Sequence, residues 1–174
     1  MMDAVQVKQL LRAGAFSHGA PQLELRETHI SWVVLTGSYA YKIRKPVRFD
    51  FVDQTTAVAR EFLCAEELRL NKRLAEDLYL GVVPVRLGID GLANLRDDGE
   101  ILDHAVKMRQ FEARDELPAM LARGAVSREH VIDLGVRLAA FHHAAAVADP
   151  QSAFGTSGTI HATVSANLKN LLEH

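Results

Sequence analysis

The chain has 174 residues and one cysteine, Cys64, which excludes an intramolecular disulfide and fits a reducing compartment. It lacks an apolar run long enough to span a bilayer and a signal-peptide pattern at its start, so the expectation is a cytoplasmic protein with no membrane partner. It lacks a strong charge of either sign. A formal net charge of -2 provides no global basic field, and nucleic acid is not expected as the main partner. Internal repeats and low-complexity tracts are absent as well. The eight histidines include the adjacent pair His142-His143, but none shows metal-ligand spacing, so no metal site is expected from them. What is present is 48% hydrophobic residues, enough for a genuine core.

The stretch from Gln22 to Val47 organises the rest. Leu23 and Leu25 alternate with Glu24 and Arg26 as a first strand. Trp32 to Thr36 and Tyr39 to Arg44 are aromatic and β-branched, and Gly37-Ser38 between them is the signature of a two-residue hairpin turn. That turn sets Leu35 opposite Ala40, Val34 opposite Tyr41, Val33 opposite Lys42 and Trp32 opposite Ile43. Val33, Leu35, Ala40 and Lys42 then share one face, while Trp32, Val34, Tyr39, Tyr41 and Ile43 share the other. The second face carries more aromatic area than an exposed surface usually does. The nearest element able to cover it is an amphipathic helix over Asp3 to Ala13. Lys42 on the first face either reaches out to water along its stem or is placed to meet an anion.

Downstream, Asp53 to Thr56 offers N-caps to a helix running to about Ala75, with an apolar spine of Ala59 or Phe62, Leu63, Leu70 and Leu74. Glu67 falls on that spine, with Glu66 its neighbour round the cylinder. A carboxylate there requires a cation, because an unpaired buried charge is strongly unfavourable. Lys42 is one candidate; Lys72 or Arg73 on the same helix is the other. Arg44, Lys45 and Arg48 form a basic cluster that reads as a solvated strand end, with nucleic-acid binding as the rival reading.

Strands follow at about Leu80 to Leu87, Leu92 to Leu95 and Glu100 to Phe111, with turns at Asp90-Gly91 and Asp97-Asp98-Gly99. In the last strand Leu102, His104, Val106, Met108 and Gln110 form mainly the inward set, with Asp103 in the other. A short helix from about Leu117 to Arg123 comes next. The helix from about Arg128 to Ala146 is apolar nearly all round and is expected in the middle of a domain, and a last helical stretch covers Val164 to Leu172.

Five blocks, Glu27-Thr-His-Ile-Ser-Trp, Ala40-Tyr-Lys-Ile-Arg-Lys-Pro-Val, Glu66-Glu-Leu-Arg-Leu-Asn-Lys-Arg-Leu, Tyr79-Leu-Gly-Val-Val-Pro and Val106-Lys-Met-Arg-Gln-Phe, carry a resemblance. Together with the order of elements they resemble the aminoglycoside phosphotransferase-like branch of the protein-kinase fold. The nearest likeness is to a bacterial group in which such a part precedes a P-loop ATP-binding domain. The resemblance runs from about Leu23 to His143.

It implies an α+β chain: a kinase-like N-lobe over residues 1–111, with a five-stranded antiparallel sheet and one key helix, then the first helices of an incomplete C-lobe over residues 112–174. It implies ATP with Mg²⁺ as the ligand. Lys42 would meet the α- and β-phosphates and Glu67 would anchor it. Thr28, His29, Ile30 and Ser31 would cover the triphosphate, although the loop has no glycine. Val33, Ala40 and Met108 would line the adenine pocket, and the backbone of Arg109, Gln110 and Phe111 would form the hinge.

One departure accompanies the resemblance. The sequence holds no motif for a base aspartate or for Mg²⁺ ligands, which are expected beyond residue 174, so the chain by itself is expected to be inactive. The activity implied for the longer protein is transfer of the ATP γ-phosphate to a hydroxyl of a small molecule. The rival is a non-catalytic, pseudokinase-like nucleotide-binding module serving a partner ATPase domain. The apolar helix 128–146 is expected to pair with a second copy of the chain through Leu134, Leu138 and Phe141.

Overall fold

A computed structural model describes residues 2–96 and 98–173, and these divide into two compact units, the first ending at Ser127 and the second beginning at Arg128. The architecture is α+β, with an antiparallel sheet and several helices.

In the first unit, α1 (Ala4–Gln9) starts from a capping box. The Asp3 carboxylate accepts from the Gln6 amide at 2.8 Å while the Gln6 side chain accepts from the Asp3 amide at 3.0 Å. This helix ends before Ala13, and a 3-10 turn over Ala13–Ala15 takes the chain on. Strands β1 (Glu24–Glu27), β2 (Ser31–Leu35) and β3 (Tyr39–Arg44) form the meander. The β2–β3 register is the one the turn dictates, from Leu35 opposite Ala40 to Trp32 opposite Ile43. Gly37 has φ +91°, a conformation its lack of a Cβ permits.

A separate small hairpin, β4 (Arg48–Phe49) and β5 (Val52–Asp53), leads into α2 (Ala57–Ala75), whose Thr56 cap accepts from the Ala59 amide at 3.1 Å. Then come β6 (Tyr79–Leu87), β7 (Ala93–Asn94) and β8 (Glu100–Arg109), followed by α3 (Leu117–Ala122). Asp97 of the expected turn lies outside the described residues. Gly99 at its end has φ +103°, and a Cβ there would meet the Leu87 carbonyl oxygen.

The sheet has six strands rather than five, in the order β1-β2-β3-β8-β6-β7. A turn closed by the Gly88 amide on the Leu92 carbonyl lays Ala93–Asn94 against the end of β6, and the Gln9 side chain accepts from the Ala93 amide at 2.9 Å. The first compact unit runs past Phe111 to Ser127. Residues just past β8 stay with the sheet: Glu112, Ala113 and Glu116 line the same cleft as Met108, and Glu116 approaches Arg26 of β1 at 3.9 Å.

One face of the sheet carries the core. Trp32, Val34, Tyr41 and Ile43 pack with Met2, Val7, Leu10, Ala15 and Phe16 of the N-terminal segment, as the aromatic area on that face requires. Within this core the Tyr41 hydroxyl lies 2.8 Å from His18 Nε2, and burial pushes its pKa up to about 12 from 10.0. The unfolded chain releases that proton near pH 10. The contribution of Tyr41 is therefore present below pH 10 and lost as pH rises from 10 to 12, about 2–3 kcal/mol in all. Denaturant melts across this interval should show the loss in the wild-type protein and a flatter profile in Tyr41→Phe. Parallel profiles would place the alkaline sensitivity elsewhere.

The second unit contains α4 (Arg128–Ala144) and α5 (Ser157–Glu173). The expectation that the apolar helix is buried is not met: α4 carries no buried residue, and Leu134 and Leu138 are exposed. Apolar composition alone sets no burial when too few residues surround the helix. Among the described residues no helix is long and apolar enough to cross a membrane.

Candidate functional site

The face of β2 and β3 opposite the core opens into a cleft of about 850 Å³, built within the first unit. Its floor is apolar, with Val33, Leu35, Ala40 and Met108. Its rim is charged or polar, with Glu24, Arg26, Thr28, Arg109, Glu112 and Glu116. Ala40 stands opposite Met108 in the β3–β8 ladder, so the small side chain leaves room beside the thioether. Gln110 and Phe111 close one end.

The segment leaving β8 is held by its backbone. The Arg109 amide donates to the Leu78 carbonyl at 2.8 Å, and the Gln110 amide donates to the Ser38 carbonyl at 2.9 Å. The Gln110 side-chain oxygen accepts from the Thr36 and Gly37 amides at 3.0 and 2.9 Å, fastening this segment to the β2–β3 turn. Of the three amides expected to form a hinge, those of Arg109 and Gln110 are engaged, and among the described residues no backbone carbonyl accepts from the amide of Phe111.

Lys42 lies two residues beyond Ala40 on the same sheet face. Its Nζ is 2.8 Å from Glu67 Oε1, and Glu67 is largely buried. This selects Glu67 over Glu66, which turns outward to Arg69 at 2.7 Å, and it selects β3 as the source of the partner. Salt-bridging to Arg69 lowers the Glu66 pKa from its ordinary value.

A second cation shares the same carboxylate. Arg44 Nη2 donates to Glu67 Oε2 at 2.8 Å and to the Leu63 carbonyl at 3.2 Å, while Nη1 donates to Gln54 Oε1 at 3.2 Å. The basic cluster is a solvated strand end only at Arg48, whose side chain is exposed. Arg44 is nearly buried, Lys45 meets Glu27 at 2.6 Å and lies over the Trp32 ring, and Arg48 reaches Asp53 at 3.6 Å. With carboxylates on all three, the cluster gives no support to the nucleic-acid rival.

The expected phosphate-covering loop is a tight turn whose hydroxyls are engaged within it. The Thr28 hydroxyl accepts from the Ser31 amide at 3.0 Å and the Thr28 amide donates to the Ser31 carbonyl at 2.9 Å. Ile30 offers its carbonyl to the Lys45 amide and the Gln54 side chain, and the His29 ring meets Phe49 edge-on. Of these four residues only Thr28 lines the cleft. Val33, Ala40, Met108, Arg109, Gln110 and Phe111 also line it, whereas Lys42, further along the same face, and Glu67, on α2, do not.

The sequence reading missed Arg60 and Asp103. Both are fully buried, with Arg60 Nη2 2.8 Å from Asp103 Oδ2 and Nε 2.9 Å from the same oxygen. Arg60 Nη1 adds bonds to the carbonyls of Gln54 and Thr55 at 3.0 Å each. Strict alternation put Asp103 on the other side of β8. A register slip between Val85 and Arg86 leaves Leu102 without an opposite residue, and both Asp103 and His104 then reach α2. The α2 spine shifts as well. Phe62, Leu70 and Leu74 are exposed, and the inward line is Arg60, Leu63, Cys64 and Glu67. Burial pushes the Cys64 thiol up to about 11.

Among the described residues no group of three or more His, Cys, Asp or Glu side chains is arranged to hold a metal ion. No family model matches the chain, and no solved structure matches it. It is similar to uncharacterized proteins of Mycobacterium tuberculosis and Mycobacterium bovis, at 36% identity over 126 residues in each case. The match covers 72% of this chain and 23% of each relative, so the chain spans about a quarter of the length of the curated relatives it matches.

Proposed function

We propose that the cleft binds ATP, and that this chain is the N-terminal lobe of an aminoglycoside phosphotransferase-like kinase. In this reading the longer protein transfers the γ-phosphate to a small-molecule hydroxyl. The observation that carries it is the Lys42–Glu67 ion pair, at 2.8 Å on the same sheet face as the Val33, Ala40 and Met108 floor. A purine is a flat apolar body with a polar edge, which suits an apolar floor ending at the amide of Phe111. A polyphosphate needs a fixed cation beyond it, which suits Lys42. The donor set fits the nucleotide. For Mg²⁺ the described residues supply no ligand cluster, and the metal ligands and base aspartate are assigned to the rest of the longer protein.

Equilibrium binding of ATP to the purified chain tests the reading. Saturable binding is expected, weakened about ten- to a hundredfold by Lys42→Ala, since a charge-assisted contact is worth roughly 1.5–3 kcal/mol. Binding should be abolished by Ala40→Phe, which fills the floor. Absence of ATP binding at millimolar concentration would overturn it. Self-association through α4 belongs to the same proposal, since Leu134 and Leu138 are exposed; a monomeric mass by light scattering of concentrated protein would remove it.

One observation favours the rival, a non-catalytic nucleotide-binding module for an ATPase domain. The glycine-free turn from Thr28 to Ser31 engages both its hydroxyls and the amides of Thr28 and Ser31 internally rather than offering them to a phosphate. ATP binding without phosphoryl transfer by the longer protein would decide for that module.

A further inference from the structure

Glu67 has two oxygens and uses each on a different cation: Oε1 on Lys42 and Oε2 on Arg44, both at 2.8 Å. The two cations are not equivalent. Lys42 makes a single contact with α2 and is the most open of the three side chains, at 28% against 12% for Arg44 and 10% for Glu67. Arg44 grips α2 twice, at Glu67 and, one helical turn earlier, at the Leu63 carbonyl. Its other nitrogen reaches Gln54, which is fully buried and donates to the Ile30 carbonyl at 2.7 Å. One guanidinium thus ties the helix to the turn between β1 and β2. A planar fork reaches three acceptors at once in a way that a single ammonium does not.

We propose that Arg44 is the positioning residue of this cluster, holding Glu67 and α2 in place so that Lys42 is free to turn toward an anion. Two cations on one carboxylate leave one surplus positive charge beside β3. With Arg44 counted, the trio keeps a net positive charge while Glu67 stays paired, and so forms a polyphosphate subsite. When Lys42 leaves for a ligand, Glu67 is not stranded, because Arg44 still neutralises it. The helix position therefore does not depend on the ligand. The subsite deepens the nucleotide reading and rests on it for its biological ligand, but its geometry is tested without a nucleotide.

The chain's single cysteine provides the readout. Cys64 is fully buried on α2, next to the Leu63 carbonyl that Arg44 holds, so its labelling by a thiol reagent reports opening of the helix. In the full 174-residue chain, Arg44→Met should raise the Cys64 labelling rate by about tenfold or more, and Lys42→Met by less than about threefold. Arg44→Lys should fall between them and serves where Arg44→Met does not fold. Equal rates in the Arg44 and Lys42 variants, or faster labelling in Lys42→Met, would overturn the positioning role.

Inorganic tripolyphosphate tests the subsite. Wild-type binding is expected to weaken with salt and to drop by about tenfold in Arg44→Lys, whose charge is kept but whose hold on Glu67 is not. No tripolyphosphate binding, or equal affinity in the two proteins, would overturn it. Binding of tripolyphosphate with no preference for ATP would instead sink the nucleotide reading and leave the subsite standing.

Discussion

Asp103→Ala should cost the fold about 3–5 kcal/mol, because it leaves the Arg60 guanidinium charged and unpaired where water does not reach. That corresponds to a fall in Tm of roughly 10 °C or more for a unit of this size. Arg60→Ala should do comparable damage and also strip bonds from the Gln54 and Thr55 carbonyls just ahead of α2. Replacing both partners together, Arg60→Met with Asp103→Leu, should recover most of the loss, since a buried ion pair and an apolar pair of similar volume are often close in stability. Thermal and denaturant melts of the three proteins decide it. A single variant as stable as the wild type would mean that water enters the site. A double variant as poor as the singles would mean that the geometry of the pair, and not its charge balance, fixes α2 on β8.

The same pair shows where the sequence was legible and where it was not. The hairpin was readable because a two-residue turn starting at Gly37 leaves one register, which sets Lys42 opposite Val33, while strand alternation puts Lys42 on the face of Ala40. The need for a cover over Trp32 and Tyr41 was readable from their shared face, and α1 with Phe16 supplies it. Glu67 was readable because a carboxylate on an inward helical line requires a cation. α2 was misread by the rule that succeeded elsewhere. Its inward line carries Arg60 and Glu67, each satisfied by a partner distant in sequence, while Phe62 and Leu70 face outward. Apolar periodicity cannot locate a face that is closed by ion pairs. Asp103 was hidden for a different reason. The bulge at Leu102 breaks the alternation by which a strand is read, and within β8 no glycine or proline marks it. Arg44 was legible only as a charge next to other charges, since its three acceptors come from residues 54, 63 and 67.

Removing the first fifteen residues should have the largest effect on the core. Met2, Val7 and Leu10 are fully buried against the face that carries Trp32, Val34, Tyr41 and Ile43. Burial of each such side chain is worth about 1.5–3 kcal/mol. Their combined loss rivals the whole stability of an ordinary domain, about 5–15 kcal/mol. Two backbone ties go with them: the Gln9 side chain on the Ala93 amide, and the Ala15 carbonyl that accepts from the Leu95 amide. The truncated chain should therefore aggregate, or persist with its single tryptophan open to solvent. Acrylamide quenching reads this directly, because Trp32 is buried in the intact protein. A graded version avoids the unfolded state altogether. Leu10→Ala in the full chain should lose about 2–5 kcal/mol through the cavity it leaves, with Trp32 quenching rising only in the unfolding transition. The cleft lies on the opposite face, so the ATP binding proposed for it, measured well below that transition, should stay close to wild type in Leu10→Ala. Unchanged quenching and an unchanged melt after removal of the first fifteen residues would show that the aromatic face finds its cover elsewhere.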